Sequence, residues 1–133
     1  MNKLFISVFF IINTANAEPA ITGRIFDGDT FAARIIFDGG SIRANIRLIN
    51  IDAPELKGAC EAEIILANQA KDRLAELIPE GTIVHLENLS DDKYLGRVNA
   101  NVILPDGRDV GDVLVSEGMA VYYSGGKRIN WCE

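Results

Sequence analysis

Residues for soft-metal chemistry are scarce in this 133-residue chain: one histidine and two cysteines cannot together fill a structural zinc site. Two cysteines are also too few for a disulfide-built miniprotein. A basic excess is missing as well. Against 19 Asp+Glu stand 13 Lys+Arg, a formal charge of −6, which argues against a module that reads DNA through a basic face. No internal repeat, low-complexity stretch or long linker interrupts the sequence, and its length is that of one domain. At 48% apolar and 24% charged residues, it is neither a disordered nor a collagen-like chain.

A bilayer-spanning run is not found at the start of the chain either. Leu4 to Ile12 is apolar over about nine residues, against the ~20 a permanent transmembrane helix needs. Lys3 precedes it, and a polar stretch follows that closes on Ala15-Asn16-Ala17, with small residues where signal peptidase requires them. The pattern predicts a signal peptide over residues 1–17 and one mature domain over 18–133. The alternatives are an uncleaved anchor or a buried amphipathic helix, but no stop-transfer segment follows. Export to the periplasm or the medium places Cys60 and Cys132 in an oxidising compartment, where a single Cys60–Cys132 bridge is expected. Neither cysteine has a histidine nearby in sequence, which argues against a thiol nucleophile.

What the chain does have is periodicity. Ile21 to Phe26 is β-type and ends in the turn signal Asp27-Gly28-Asp29. Thr30 to Phe37 alternates, with Phe31, Ala33, Ile35 and Phe37 on one face. After Asp38-Gly39-Gly40, Ser41 to Ile49 alternates again, placing Ile42, Ala44, Ile46 and Leu48 inward and Arg43, Asn45 and Arg47 opposite. The period then lengthens. Ile64, Ala67, Ala70, Leu74, Leu77 and Ile78 recur at helical spacing within Cys60 to Ile78, and Pro79 and Gly81 end the helix. Its charged residues, Glu61, Glu63, Lys71, Asp72, Arg73 and Glu76, read as a solvated face. Thr82 to Leu89 and Val98 to Leu104 are two further strands, with His85 a plain strand position. Val110 to Glu117 is a short helix closed by Gly118. Five short strands with a helix after the third and a second after the fifth is the element order of a five-stranded Greek-key barrel of the OB-fold type.

Charge gathers in three short segments at strand ends: Asp27-Gly28-Asp29-Thr30, Arg47 through Asp52-Ala53-Pro54-Glu55, and Asp91-Asp92-Lys93-Tyr94-Leu95-Gly96-Arg97. Alone, each is an ordinary turn or loop. Together they supply one chemistry. Asp29 and Asp52 are hard oxygen donors suited to calcium, which also accepts backbone carbonyls. Arg47 and Arg97 are permanently charged forks that match phosphate oxygens. Glu55 is a third carboxylate able to take a proton from water. These are the parts that phosphodiester hydrolysis requires.

With its three motifs in this order, the sequence resembles the staphylococcal-type thermonucleases, and more closely their small exported bacterial members, over Ile21 to Ala120. The resemblance implies an OB-fold nuclease that uses calcium to cleave DNA and RNA, leaving 3′-phosphorylated products. It implies metal coordination by Asp29, Asp52 and the backbone carbonyl of Ala53, a base at Glu55, phosphate contacts from Arg47 and Arg97, and nucleotide contacts from Lys93 and Tyr94. Two departures stand out. Leu95 is an extra residue between Tyr94 and Gly96, and the chain ends in SGGKRINWCE where the best-known member has a third helix. In that tail Lys127 and Arg128 read as solvated, and Trp131 as a packing residue.

The expected protein is thus a monomeric calcium-dependent endonuclease acting on DNA or RNA, without stable membrane association once the leader is removed. A non-catalytic OB module that binds nucleic acid or another ligand is the rival reading, and a calcium-stabilised structural protein a third. The survival of both metal acids, the base and both arginines favours the enzyme.

Overall fold

The computed structural model describes residues 17–133, so the predicted leader, apart from Ala17, lies outside the described residues. Five strands close a barrel: β1 (Ala17–Asp27), β2 (Thr30–Phe37), β3 (Gly40–Leu48), β5 (Ile83–Asp91) and β6 (Arg97–Ile103). Their order around the barrel is β1-β2-β3-β6-β5, with β5 returning to β1. All neighbours are antiparallel except β3 and β6, which run parallel from Asn45↔Arg97 to Leu48↔Ala100. Helix α1 (Glu61–Leu77) follows the third barrel strand, and α2 (Val110–Ser116) follows the fifth. This is the predicted five-stranded barrel with two helices, and the parallel β3–β6 pair makes its sheet mixed. A two-residue pair, β4 (Ile51–Asp52) with β7 (Val121–Tyr122), is added to it.

The alternation in β2 and β3 becomes the barrel interior. Phe31, Ala33, Ile35, Ile46 and Leu48 point inward, together with Ala20, Val84, Leu86, Ala100 and Val102 from the other strands. From α1, Leu74 and Ile78 join this core, and from α2, Val110 and Leu114. Register irregularities in β1 between Thr22 and Asp27, and in β5 between Glu87 and Ser90, supply the local bend that closure of a small barrel needs.

Three expected core positions lie outside: Ile64, exposed near the start of α1, and two in the β2–β3 hairpin. Phe37 is 47% exposed and Ile42 55% exposed, because the tip of the β2–β3 hairpin projects past the barrel. Strand β6 pairs with β3 only from Asn45 onward, so nothing covers that end of the hairpin.

The opposite end of the hairpin is packed tightly. Asp27 pairs with Thr30 across the two-residue turn Gly28-Asp29. A Cβ at Gly28 would lie 2.8 Å from the Ala70 Cβ on α1 and 3.0 Å from the Ala53 Cβ. Only glycine lets the turn press against both, and that contact brings Asp29 beside Ala53. Helix α1 turns its fully buried Ala67 and Ala70 inward.

Cys60 is the N-cap of α1 and is joined to Cys132, with a Cα–Cα distance of 6.0 Å. The expected bridge is therefore present, and it carries the C-terminal tail back to the loop between β4 and α1.

Candidate active site

Asp29 is fixed by its neighbours. Its backbone N–H donates to Asp27 Oδ1 at 3.0 Å, while its carboxylate accepts from Thr30 Oγ1 at 3.0 Å and from the Ala53 N–H at 3.1 Å. Burial pushes the Asp29 carboxyl up to about 6, opposed by the Arg47 guanidinium.

Arg47 stands opposite Thr30 in the β2–β3 register, on the outward phase of β3 between buried Ile46 and Leu48. Its guanidinium donates to the Leu48 carbonyl and, at 3.2 Å, to the Ile51 carbonyl. Nη2 lies 3.6 Å from Asp29 Oδ2 and 3.9 Å from Asp52 Oδ1, so two buried carboxylates share one guanidinium.

Asp52 is held by β4, whose pairing places it opposite Val121. Its second oxygen accepts from Arg128 Nε at 2.8 Å, and Arg128 Nη2 donates to the Ala53 carbonyl at 3.3 Å. Past Pro54 the chain emerges, leaving the Glu55 side chain 52% exposed and 3.6 Å from Arg128 Nη2.

On the opposite rim, Arg97 opens β6. Nε of Arg97 pairs with Asp92 Oδ2 at 2.8 Å, and its guanidinium lies over the Tyr94 ring at 4.6 Å. Lys93 Nζ sits 5.3 Å from the same ring. The extra residue Leu95 is wholly exposed. It bulges into solvent and leaves Lys93 and Tyr94 at the cleft.

Seven of the predicted site residues, Asp29, Arg47, Asp52, Glu55, Lys93, Tyr94 and Arg97, line one cleft of about 360 Å³. Ala53 lies beneath it, joined to Asp29 and Arg128 through its backbone, and the cysteines lie outside its lining. Four carboxylates and four cations share the cleft, so it is locally balanced although the chain is acidic. A separate depression of about 400 Å³, near Arg24, Arg43 and Glu80, has no comparable convergence of acids and cations.

The model of the staphylococcal nuclease homologue family matches residues 45–130, which include every predicted site residue except Asp29 and Cys132. The chain belongs to this family. It is also similar to an uncharacterized endonuclease of Escherichia coli, at 33% identity over 126 residues, covering 92% of this chain and 74% of that protein.

Whether a staphylococcal nuclease homologue with these residues suits calcium can be judged from its donors. Asp29, Asp52 and the Ala53 carbonyl offer oxygen alone, the ligand type a hard cation takes. Among the described residues no group of three or more His, Cys, Asp or Glu side chains gathers as a metal cage. The donors therefore suit a hard cation by type alone, without being gathered into a cage. Two of these donors already face a positive charge, the guanidinium of Arg128.

Three contributors escape the sequence reading of this family member. Glu63, predicted to lie on a solvated face, is buried, 6% exposed, and accepts from the Glu55 and Ala59 N–H groups at 3.0 Å each. A Cβ at Gly58 would lie 2.6 Å from Glu63 Cγ, so the loop closes around that carboxylate only with glycine there. Arg128, predicted to be solvated, lies in the cleft, and so does Tyr123. A signal for Arg128 was present: Cys132, four residues on, is bridged to Cys60, five residues after Glu55.

Glu63 makes a testable anchor. The two N–H groups, that of Glu55 first, hold its carboxyl below the usual range. A lowered carboxyl adds stability that is fully present above its unfolded pKa, roughly 4.3, and is lost as pH falls through the lower folded value. Hydrogen exchange at the Glu55 and Ala59 amides should therefore lose protection on acidification below that range. Glu63→Gln should abolish this pH dependence and, by loosening the Glu55 loop, lower nuclease activity on the order of 10²-fold.

Proposed function

We propose that the chain is an exported calcium-dependent nuclease that hydrolyses phosphodiester bonds of DNA or RNA. The observation that carries this reading is the convergence of Asp29, Asp52, Glu55, Arg47 and Arg97 on one cleft. Membership of the staphylococcal nuclease homologues and the similarity to a protein named an endonuclease support it.

In this reading Arg47 and Arg97 bind the non-bridging oxygens of the scissile phosphate. Their forks are pre-aimed by the Ile51 carbonyl and by Asp92. Glu55, half exposed at the mouth, takes the proton from the attacking water. As negative charge grows on the phosphoryl oxygens, the two guanidinium groups stabilise it. Lys93 and Tyr94 flank the nucleotide at the rim. Asp29, Asp52 and the Ala53 carbonyl would hold calcium, which when bound would add positive charge at the phosphate and favour water as the nucleophile.

Export rests on the leader predicted over residues 1–17 and is supported by the Cys60–Cys132 bridge. Among the described residues no helix is long and apolar enough to cross a membrane.

The test is an assay of the purified domain on single-stranded DNA, duplex DNA and RNA, with calcium or with chelator. Calcium-dependent cleavage of at least one polymer is the expected result. No cleavage of any of them would leave a binding module and overturn the enzyme reading.

A further inference from the structure

The SGGKRINWCE tail is joined to the body by the Cys60–Cys132 bridge, and β7 fixes its upstream end beside β4. Between these two anchors the Tyr123 hydroxyl donates to the Gly126 carbonyl at 2.6 Å, closing the tail into a compact turn. Gly125 and Gly126 have φ of +109° and +86°, which L side chains rarely adopt, so the turn requires glycine at both. Its product is Arg128, delivered over the cleft.

The contacts of Arg128 are specific. Nε donates to Asp52 Oδ2 at 2.8 Å, Nη2 donates to the Ala53 carbonyl at 3.3 Å, and Nη2 lies 3.6 Å from Glu55 Oε2. The first two acceptors belong to the residues assigned above as cation ligands, and the third belongs to the proposed base. Asp52 is buried, its side chain 7% exposed, and its other charged neighbour, Arg47, stands off at 3.9 Å. A buried carboxylate needs a close partner, and in this structure Arg128 is that partner.

We propose that Arg128 is a resident counter-cation of the metal site: a bridge-anchored arginine that occupies the Asp52 and Ala53 oxygens and is displaced when a divalent cation binds. The inference rests on the proposed assignment of Asp52 and Ala53 as calcium ligands. Calcium needs oxygens at 2.3–2.6 Å, and a guanidinium hydrogen-bonded to those atoms stands in its approach. Arg128 thereby keeps the acidic cluster neutralised before the cation arrives and sets the calcium concentration at which the site fills. It is a positioning residue that acts through Asp52 and Glu55.

The test is calcium binding to the oxidised mature domain, by titration calorimetry and by the fluorescence of Trp131, the single tryptophan, three residues from Arg128. Arg128→Ala should bind calcium about tenfold more tightly, the size expected for loss of one partly exposed charge-assisted hydrogen bond. Its Tm should be lower without calcium and should rise more than that of the wild type when calcium is added. Arg128→Lys, which keeps the charge but not the fork, should fall between the two. In the wild type, calcium should change Trp131 emission as the Arg128 side chain leaves the Asp52 and Ala53 oxygens.

Equal or weaker calcium binding by Arg128→Ala, with wild-type binding that depends on Asp52, would overturn the inference and leave the metal site standing. Wild-type binding that is absent, or indifferent to Asp52→Ala, would overturn the metal assignment and the inference with it.

Discussion

Replacing Glu55 by Gln should lower calcium-dependent cleavage by roughly 10²–10⁴-fold, the usual contribution of a positioned general base, with thermal stability within about 0.5 kcal/mol of the wild type. The two halves of that expectation have separate physical grounds. The Glu55 carboxylate is half exposed, and its ion-pair partner among the described residues is Arg128 at 3.6 Å. A long, solvent-screened pair of this kind adds little to stability. The backbone N–H of Glu55 keeps its bond to Glu63 in the variant, so the loop stays in place. Proton acceptance is lost while shape is kept. Arg47 is a poorer probe, because its guanidinium also satisfies the Leu48 and Ile51 carbonyls and faces two buried carboxylates. Removing it would confuse charge stabilisation with local unfolding. The measurement is kcat/KM on a short single-stranded oligonucleotide at saturating calcium, with the melting curve of each protein alongside. Undiminished cleavage by Glu55→Gln would remove Glu55 from the mechanism.

That Glu55 can be singled out reflects how unevenly the molecule shows through its sequence. Strand β2 was legible to its boundaries, since eight residues of strict alternation allow one pleat and one buried face. Helix α1 was legible for the same reason at a longer period. The β4–β7 pair was not, because two residues carry no period. Its evidence is the backbone of Val121 lying opposite Asp52, and that contact exists only after folding. Phe37 and Ile42 show the converse error, where alternation persists beyond the point at which the barrel has neighbours to cover it.

The site divides along similar lines. Asp29, Asp52, Glu55, Arg47 and Arg97 stood out because each sits among charged residues where strands end. Glu63 did not, because acids in a first helical turn usually face water. Only the fold of the Glu55–Ala59 loop turns this one inward. The acidic charge of the chain also changes meaning. Four cations meet four carboxylates in the cleft, so polyanion binding need not draw on the global charge. Weak long-range attraction with strong local contacts follows, since non-specific affinity tracks the number of phosphates neutralised.

Reducing the Cys60–Cys132 bridge should lower the stability of the domain by about 4 kcal/mol and Tm by roughly 10–20 °C. The bridge spans 72 residues of sequence, enclosing α1, β5, β6, α2 and β7. Without it the unfolded chain regains the entropy of a long open loop, while the native barrel loses none of its core contacts. The native state is touched at one place, the tail. Arg128, Trp131 and Cys132 are held against the body through this one covalent link and the Arg128 hydrogen bonds, so reduction should loosen them ahead of the barrel. Melting the oxidised and reduced protein, with thiol titration to verify reduction, gives the stability change. Cys60→Ser with Cys132→Ser repeats it without reductant. Equal Tm in all three samples would mean that the bridge adds nothing to the fold. A large loss confined to the bridge-free samples would make oxidation a condition of full stability, the result expected of a domain that works in an oxidising compartment.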